Sequence, residues 1–308
     1  MKILFVSSRL PHAGSLSGHM IVYQRIRRLI ARGHQVGLAV FRSEGDEARV
    51  SDLKPGLREL VLAPRPAVKM AYPPSLWEMP RRPPQPFRAY ASDEMNRCVG
   101  DLVDRGRYDV VVSEFATMGQ CLRSNPHLPA VRTVLSVHHS LSIVNRKALQ
   151  ISDPSWRKLK IWMMFNRLKK YEFSLYRDMD RVLVLTPEER LGLLKFAPDL
   201  RVTVIPVGVD TDYFQMPDPD APRENALLFT GHYGEEPNSD AILWFASSVW
   251  PLIKKRNAGL KLYAVGPGAT PEMKDLARRD PQICVTGEVA DVRPYLAKAR
   301  VFVCPIRM

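Results

Sequence analysis

Nowhere in these 308 residues does an apolar run approach the ~20 needed for a membrane-spanning helix. A secretory leader is not expected either. After Met1-Lys2 the stretch Ile3-Leu4-Phe5-Val6 is short of the roughly 7–15 residues of a signal-peptide core and reads better as a strand. Cysteine is scarce: Cys98, Cys121, Cys284 and Cys304 show no C-x-x-C spacing. That argues against a disulfide framework or a metal site and leaves thiols expected to be buried in a reducing, cytosolic compartment. The G-x-G-x-x-G dinucleotide fingerprint is absent. So is any recognised DNA- or RNA-binding motif, and nucleic acid is not an expected partner.

Acidic residues are in deficit, 32 against 45 basic, for a net charge of +13. The excess is unevenly placed. Residues 1–205 hold 33 basic and 19 acidic side chains, net +14, whereas residues 206–308 hold 12 and 13, net −1. A basic half beside a neutral one points to something anionic as the partner of the first half. With 45% hydrophobic and 25% charged residues the composition is globular rather than disordered. The length suits one or two domains.

Short apolar runs alternate with helical patterns, the mark of parallel sheets with crossover helices. In the first half, strands are expected at Lys2–Ser7, Val36–Phe41, Glu59–Ala63, Asp109–Ser113, Arg132–Val137, Arg181–Leu185 and Val202–Ile205. Helices are expected at Met20–Ala31 (stopped by Gly33), at Phe87–Arg105 and from about Pro154 to Met179. Another begins after Thr186, a cap followed by Pro187 and the dipole-matching Glu188-Glu189. Residues 64–86 carry eight prolines in 23 positions and read as an extended insertion. Residues 206–224 read as a linker. Beyond it come strand Ala226–Thr230, helix Asp240–Lys255, strand Lys261–Val265, helix Pro271–Arg279, strand Ile283–Thr286, helix Val292–Ala299 and strand Val301–Cys304. The expected domains are therefore 1–205 and 225–308, the second interrupted at its fourth strand.

In open α/β sheets ligands bind beyond the carboxyl ends of the strands, where a helix N-terminus offers free N–H groups to an anion. The loop after the first strand is best placed. Gly14 and Gly18 would let the backbone approach a diphosphate, and Ser15 or Ser17 would add a hydroxyl donor; a plain connection is the alternative. Gly266-Pro267-Gly268, ahead of Thr270-Pro271-Glu272, is a weaker second candidate. His138 closes an apolar strand in Val137-His138-His139-Ser140, where a polar side chain faces the cleft and a histidine can donate to a substrate oxygen. A structurally satisfied loop histidine is the other reading. The D-x-D triplets at Asp178–Asp180, Asp210–Asp212 and Asp218–Asp220 are of a kind that can hold Mg²⁺. Three copies in so charged a chain suggest coincidence, and no metal ligand is assigned. From Arg146 to Arg177 there are nine basic and two acidic residues, and the helix over 156–177 interleaves them with Trp156, Trp162 and Phe165. That pattern suits an anionic membrane surface, or else a half-buried helix with a solvated basic face.

Val204-Ile205-Pro206-Val207-Gly208-Val209-Asp210-Thr211-Asp212-Tyr213-Phe214 resembles the "IPNGVD…F" signature of the retaining glycosyltransferases of family 4. Phe229-Thr230-Gly231, Pro237–Ala241, Val265-Gly266, Val285-Thr286-Gly287, Asp291–Leu296 and Val301–Pro305 continue that family's pattern in order, and the Pro11…Gly14…Gly18 loop with Gly33–Val36 fits its first domain. Within the family the chain is most similar to sugar transferases of bacterial exopolysaccharide or surface-glycan assembly.

The resemblance implies an α/β protein of GT-B type: two Rossmann-like parallel-sheet domains, an acceptor-side 1–205 and an incomplete nucleotide-sugar-binding 225–308. It implies hexosyl transfer with retention from a nucleotide diphosphate sugar to a hydroxyl of a glycan or lipid-linked acceptor, with no cofactor beyond the donor and no metal. His138 would be catalytic, hydrogen-bonding the transferred sugar. Gly14, Ser15 and Gly18 would face the diphosphate, Gly231 would admit the donor, and Arg307 would begin the family's basic phosphate loop. Val207 departs from the signature's Asn. The chain also stops before the family's glycine-rich loop and its acidic E-x₇-E helix. The expectation is thus a truncated transferase, weakly active or inactive, in the cytosol or at the inner face of the membrane. A non-catalytic scaffold remnant and a GT-B-like nucleotide-sugar epimerase stay open.

Overall fold

Runs of Val, Ile and Leu too short for helices pair side by side in each half of the chain. The computed structural model describes residues 1–12, 18–46, 53–66, 83–144, 146, 156–215, 218 and 220–307. The chain divides into two units, Met1–Val207 and Gly208–Met308.

In the first unit, β1 (Lys2–Ser7), β2 (Gln35–Phe41), β3 (Glu59–Ala63), β4 (Val110–Glu114), β5 (Arg132–Ser136), β6 (Arg181–Val184) and β7 (Val202–Val204) form a seven-stranded sheet in the order 3-2-1-4-5-6-7. Every pairing is parallel, and Phe5 of β1 lies level with Leu38 of β2 and Val112 of β4. Successive side chains of a strand point to opposite faces. Leu4, Val6 and Val111 therefore enter one core, and Ile3, Phe5 and Val112 the other. Strands covered on both sides read as continuous apolar runs. The strand order reverses between β1 and β4, which opens a crevice at their carboxyl ends.

Helix α1 (Gly18–Ala31) buries Val22, Tyr23 and Ile26 against this sheet. The helix expected over Phe87–Arg105 is two pieces, α2 (Gln85–Arg88) and α3 (Asp93–Gly106). The break comes at Ser92, which is extended and accepts from the Met95 N–H at 3.1 Å, with Asp93 and Glu94 completing a dipole-matched first turn. A 3₁₀ segment, Ala116–Cys121, follows β4 and was not foreseen. Helix α4 spans Trp156–Arg177, and α5 (Pro187–Phe196) is capped by Thr186 as expected. Within the proline-rich insertion, residues 67–82 lie outside the described residues.

The second unit holds β8 (Glu224–Thr230), β9 (Lys261–Val265), β10 (Ile283–Gly287) and β11 (Ala299–Phe302) in the order 10-9-8-11, again parallel. The helix expected over Asp240–Lys255 begins earlier and is interrupted. It comprises α6 (Glu236–Trp244), a π-helical turn over Phe245–Val249 and α7 (Trp250–Arg256). Pro251, which has no N–H, sits just after that turn, where regular α bonding cannot continue. α8 (Pro271–Arg279) and α9 (Arg293–Lys298) complete the unit.

The expectation of four buried thiols is corrected. Cys121 is buried and Cys98 half-buried, but Cys284 and Cys304 are exposed. They belong to, or directly follow, the edge strands β10 and β11, whose outer faces are uncovered; Val301 and Phe302 of β11 are likewise exposed.

Candidate functional site

The crevice at the β1/β4 reversal buries several of the first unit's polar side chains. Glu114 ends β4, Ser136 ends β5 and His138 follows it. Each is buried, Glu114 completely. Glu114 Oε2 lies 2.9 Å from His138 Nε2, and Glu114 Oε1 accepts from Arg25 Nη1 of α1 at 2.6 Å. The same Nη1 also donates to Ser136 Oγ at 2.9 Å. Burial alone would push the Glu114 carboxyl up. The hydrogen bond from His138 and the Arg25 charge instead hold it below its ordinary value, so it stays an anion.

An anionic Glu114 only accepts, so His138 carries a proton on Nε2. Nδ1 is enclosed and finds no partner among the described residues. The imidazole stacks on Phe115, with centroids 4.3 Å apart, and Phe115 also packs against His19 at 4.6 Å. Phe115 has φ +71°, a conformation that costs about 1–3 kcal/mol and survives only where the surroundings enforce it. Burial, then the neighbouring charges of Arg9 and His138, push the His19 pKa down to about 4; its Nε2 lies 3.2 Å from Ser8 Oγ, just past β1.

Gly18 heads α1. A Cβ there would stand 2.9 Å from His138 Nδ1 and 2.7 Å from Phe115 Cε1, so only glycine lets the helix start lie against the histidine. The structure thus brings Gly18 and His138 together and joins to them Glu114, Arg25, His19 and Phe115, which the sequence reading did not select. Gly14 and Ser15 lie outside the described residues.

In the second unit Gly231 closes β8. Its N–H bonds the Val265 carbonyl, and Gly266, at φ +140°, lies so close that a Cβ on it would be 2.0 Å from the Gly231 oxygen. The loops after β8 and β9 are therefore packed backbone to backbone, and Asn238 Nδ2 of α6 donates to the His232 carbonyl in the first of them. Arg307 lies on the flank of α6, its Nε donating to Asp240 at 3.0 Å and its guanidinium 5.2 Å from the Trp244 ring. The D-x-D triplets have structural uses: Asp178 pairs with Arg123, Asp180 accepts from the Thr133 N–H, and Asp210 and Asp218 bond amides of their own turns. Among the described residues no group of three or more His, Cys, Asp or Glu could hold a metal ion.

The family model for Glycosyltransferase Family 4 matches residues 19–213, and that for Glycosyl transferases group 1 matches residues 224–308. No curated protein matches the chain. Among solved structures it is similar to sucrose-phosphate synthase from Thermosynechococcus elongatus, with a TM-score of 0.69 and 15% identity over 99% of this chain and 75% of that one. It is similar to HepE from Anabaena in complex with UDP, with a TM-score of 0.63 and 12% identity over 98% and 73% of the two chains. A TarM variant from S. aureus, in complex with fondaparinux, α-GlcNAc-glycerol and UDP, gives 0.62 and 8% over 98% and 80%. At such identities these likenesses concern the fold.

Proposed function

The chain belongs to glycosyltransferase family 4, with two α/β domains of GT-B type, and from that premise we propose that it transfers a hexose from a nucleotide diphosphate sugar to a hydroxyl of a glycan or lipid-linked acceptor, with retention, in bacterial surface-glycan assembly. The observation that carries the reading is the buried Arg25–Glu114–His138 array at the strand-order reversal of the first unit. A fully buried carboxylate held between a guanidinium and an imidazole fixes one histidine tautomer, which a purely structural core rarely requires. The one ring nitrogen left over, Nδ1, is the atom that would take a hydroxyl of the transferred sugar. The start of α1 at Gly18 sets the positive end of a helix dipole beside it, suited to a leaving diphosphate. On this reading Gly14 and Ser15 join Gly18 there, and the β8–α6 loop at Gly231 receives the donor.

Arg307, expected at the donor phosphates, is paired with Asp240 on the flank of α6, so a donor phosphate would have to draw it away from that carboxylate. Association with the inner membrane face belongs to the same proposal. Trp162 and Met164 of α4 are more than half exposed, and among the described residues no helix is long and apolar enough to cross a membrane.

Incubation with UDP- and GDP-sugars, with the product anomer read by NMR, tests the function. The expected result is a transfer that keeps the donor's anomeric configuration. Inversion would overturn the retaining mechanism. Interconversion of the nucleotide sugar without an acceptor would replace the transferase reading with an epimerase. A ligand at about 100 times its Kd should add ~2.7 kcal/mol to the folded state. Absence of any melting shift with every nucleotide sugar would favour a scaffold remnant.

A further inference from the structure

The amino ends of β1, β2 and β3 frame an open hollow of about 580 Å³. Its wall is Lys2, His34, Gln35, Gly56, Leu57 and Arg58, and among the described residues no acid lines it. The His138 array stands at the carboxyl ends of the same sheet. At ~3.3 Å per residue, β1 carries the chain roughly 17 Å from Lys2 to Ser7. A phosphate-sized ligand in the hollow therefore touches none of the array.

One side chain joins the two cations. Lys2 of β1 lies level with Gln35 of β2. On the other flank the Arg58 N–H bonds the Val36 carbonyl at 2.8 Å as the chain enters β3. Lys2 and Arg58 thus stand about one strand spacing, ~4.8 Å, to either side of the start of β2. Arg58 Nη1 donates to Gln35 Oε1 at 2.8 Å. A guanidinium only donates, so it holds the amide oxygen toward itself and leaves the Gln35 NH₂ as a donor with no partner among the described residues. An ammonium, an amide NH₂ and the remaining guanidinium N–H groups then border one space.

The neighbouring acids are engaged elsewhere. Asp109 accepts the Lys2 backbone N–H at 2.7 Å. Glu59 takes the Tyr108 hydroxyl on one oxygen at 2.5 Å and Arg105 on the other at 3.0 Å. Among the described residues neither the Lys2 ammonium nor the Arg58 guanidinium enters an ion pair. His34 Nδ1 is turned to the Met1 nitrogen, 3.3 Å away.

We propose that this hollow is an anion site, binding the phosphate group of a phosphate monoester between Lys2 and Arg58 with the Gln35 amide as third donor. Such a group carries about −1.5 to −2 at pH 7, which one ammonium and one guanidinium match. Its distance from the array makes the ligand an effector or a tether, not a substrate, and the site does not rest on the transferase reading.

Titration of the full chain with inorganic phosphate, followed through the Gln35 side-chain and Gly56 backbone amides by NMR, tests it. Both should shift saturably with phosphate and not with chloride at equal ionic strength. The variant Lys2→Gln/Arg58→Gln should bind at least about tenfold more weakly. Gln35→Glu, which sets a carboxylate between the cations, should lose as much and serves alone if the double variant fails to fold. No saturable shift at Gln35, or unchanged affinity in these variants, would overturn the site. Glycerol 3-phosphate in solution and phosphatidic acid in phosphatidylcholine vesicles separate the two sources of the group. Loss of vesicle binding in the double variant assigns the site to a lipid headgroup, and loss of glycerol 3-phosphate binding alone assigns it to a soluble ester. Loss of neither counts against the site. UDP affinity should be the same in the double variant as in the native chain, and a parallel loss would overturn the separation from the donor site. Absence of sugar transfer with phosphate binding intact would sink only the transferase reading.

Discussion

Glu114 is the residue on which the first unit's chemistry turns, because one buried carboxylate serves both Arg25 and His138. Glu114→Gln keeps the shape but removes the anion, leaving the Arg25 charge, 18% exposed, without its counter-ion. The expected cost is about 3 kcal/mol, together with loss of the fixed imidazole tautomer. Urea unfolding measures the first, and ¹⁵N NMR of His138 the second, as proton density moving off Nε2. Any transfer rate should fall by about 10²-fold or more. His19 gives a pH signature. Its ordinary pKa of 6.5 is lowered to about 4 in the fold, so between these values the unfolded chain binds more protons than the folded one. Stability must therefore fall as pH drops from 6.5 to 4. Glu114 acts in the same direction at lower pH: its depressed pKa makes its contribution present above the ordinary carboxylate range and lost on acidification through the folded value. Melting temperatures across that range should decline for the native chain and decline less for His19→Gln; parallel curves would show that the histidine is not responsible.

Elements here are joined by buried polar links as much as by apolar faces. Glu172, one of the two acids in the basic stretch 146–177, is fully buried. It accepts from the Leu141 and Ser142 N–H groups at 2.9 and 2.8 Å, from the Ser142 hydroxyl, and from Tyr176 at 2.5 Å. The carboxylate thus pins the turn after His138 to α4. Glu172→Ala should free the amides of residues 141 and 142 for fast hydrogen exchange and cost about 3 kcal/mol, an effect on the His138 turn without any change in the array itself. In the second unit Gly266→Ala would drive a Cβ into the Gly231 carbonyl at a positive φ. At least ~3 kcal/mol should be lost, visible as a lower melting temperature with weaker UDP binding. Much of this was legible in the sequence. The apolar runs and the Thr186 and Thr270 caps announce themselves locally, and His138 stands out as a polar residue ending an apolar strand. Its partners do not, because Arg25 lies 89 residues from Glu114 and 111 from Ser136. An arginine in an amphipathic helix and a glutamate after three valines read singly as solvated charges. Only the placement of β4 between β1 and β5 buries them together. The split of 85–106 was written in Ser92-Asp93-Glu94, a capping signal that the surrounding helical pattern overrode.

For the whole molecule the charge division becomes a statement about surfaces. The +14 of residues 1–205 includes Arg25, spent on Glu114, as well as Arg123 and Arg177, paired with Asp178 and Asp199. Lys169 lies over the Phe196 ring at 4.2 Å. Arg88 of α2 stands beside Arg167, and Arg167 and Lys170 lie on α4, the helix that also exposes Trp162 and Met164. Attraction of such a face to anionic lipid amounts to about 1 kcal/mol per basic side chain near the surface and is screened within ~10 Å at 0.1 M salt. Exposed aromatic side chains would add a part that salt does not remove. Sedimentation with vesicles containing an anionic lipid should therefore show binding that weakens more than about tenfold between low and ~0.5 M salt. Neutral vesicles should retain little. Trp162→Ala should reduce the residue of binding at high salt, and Lys170→Gln the part at low salt. Equal binding to neutral and anionic vesicles would overturn the electrostatic part of this association, because a charge-driven contact must distinguish the two surfaces.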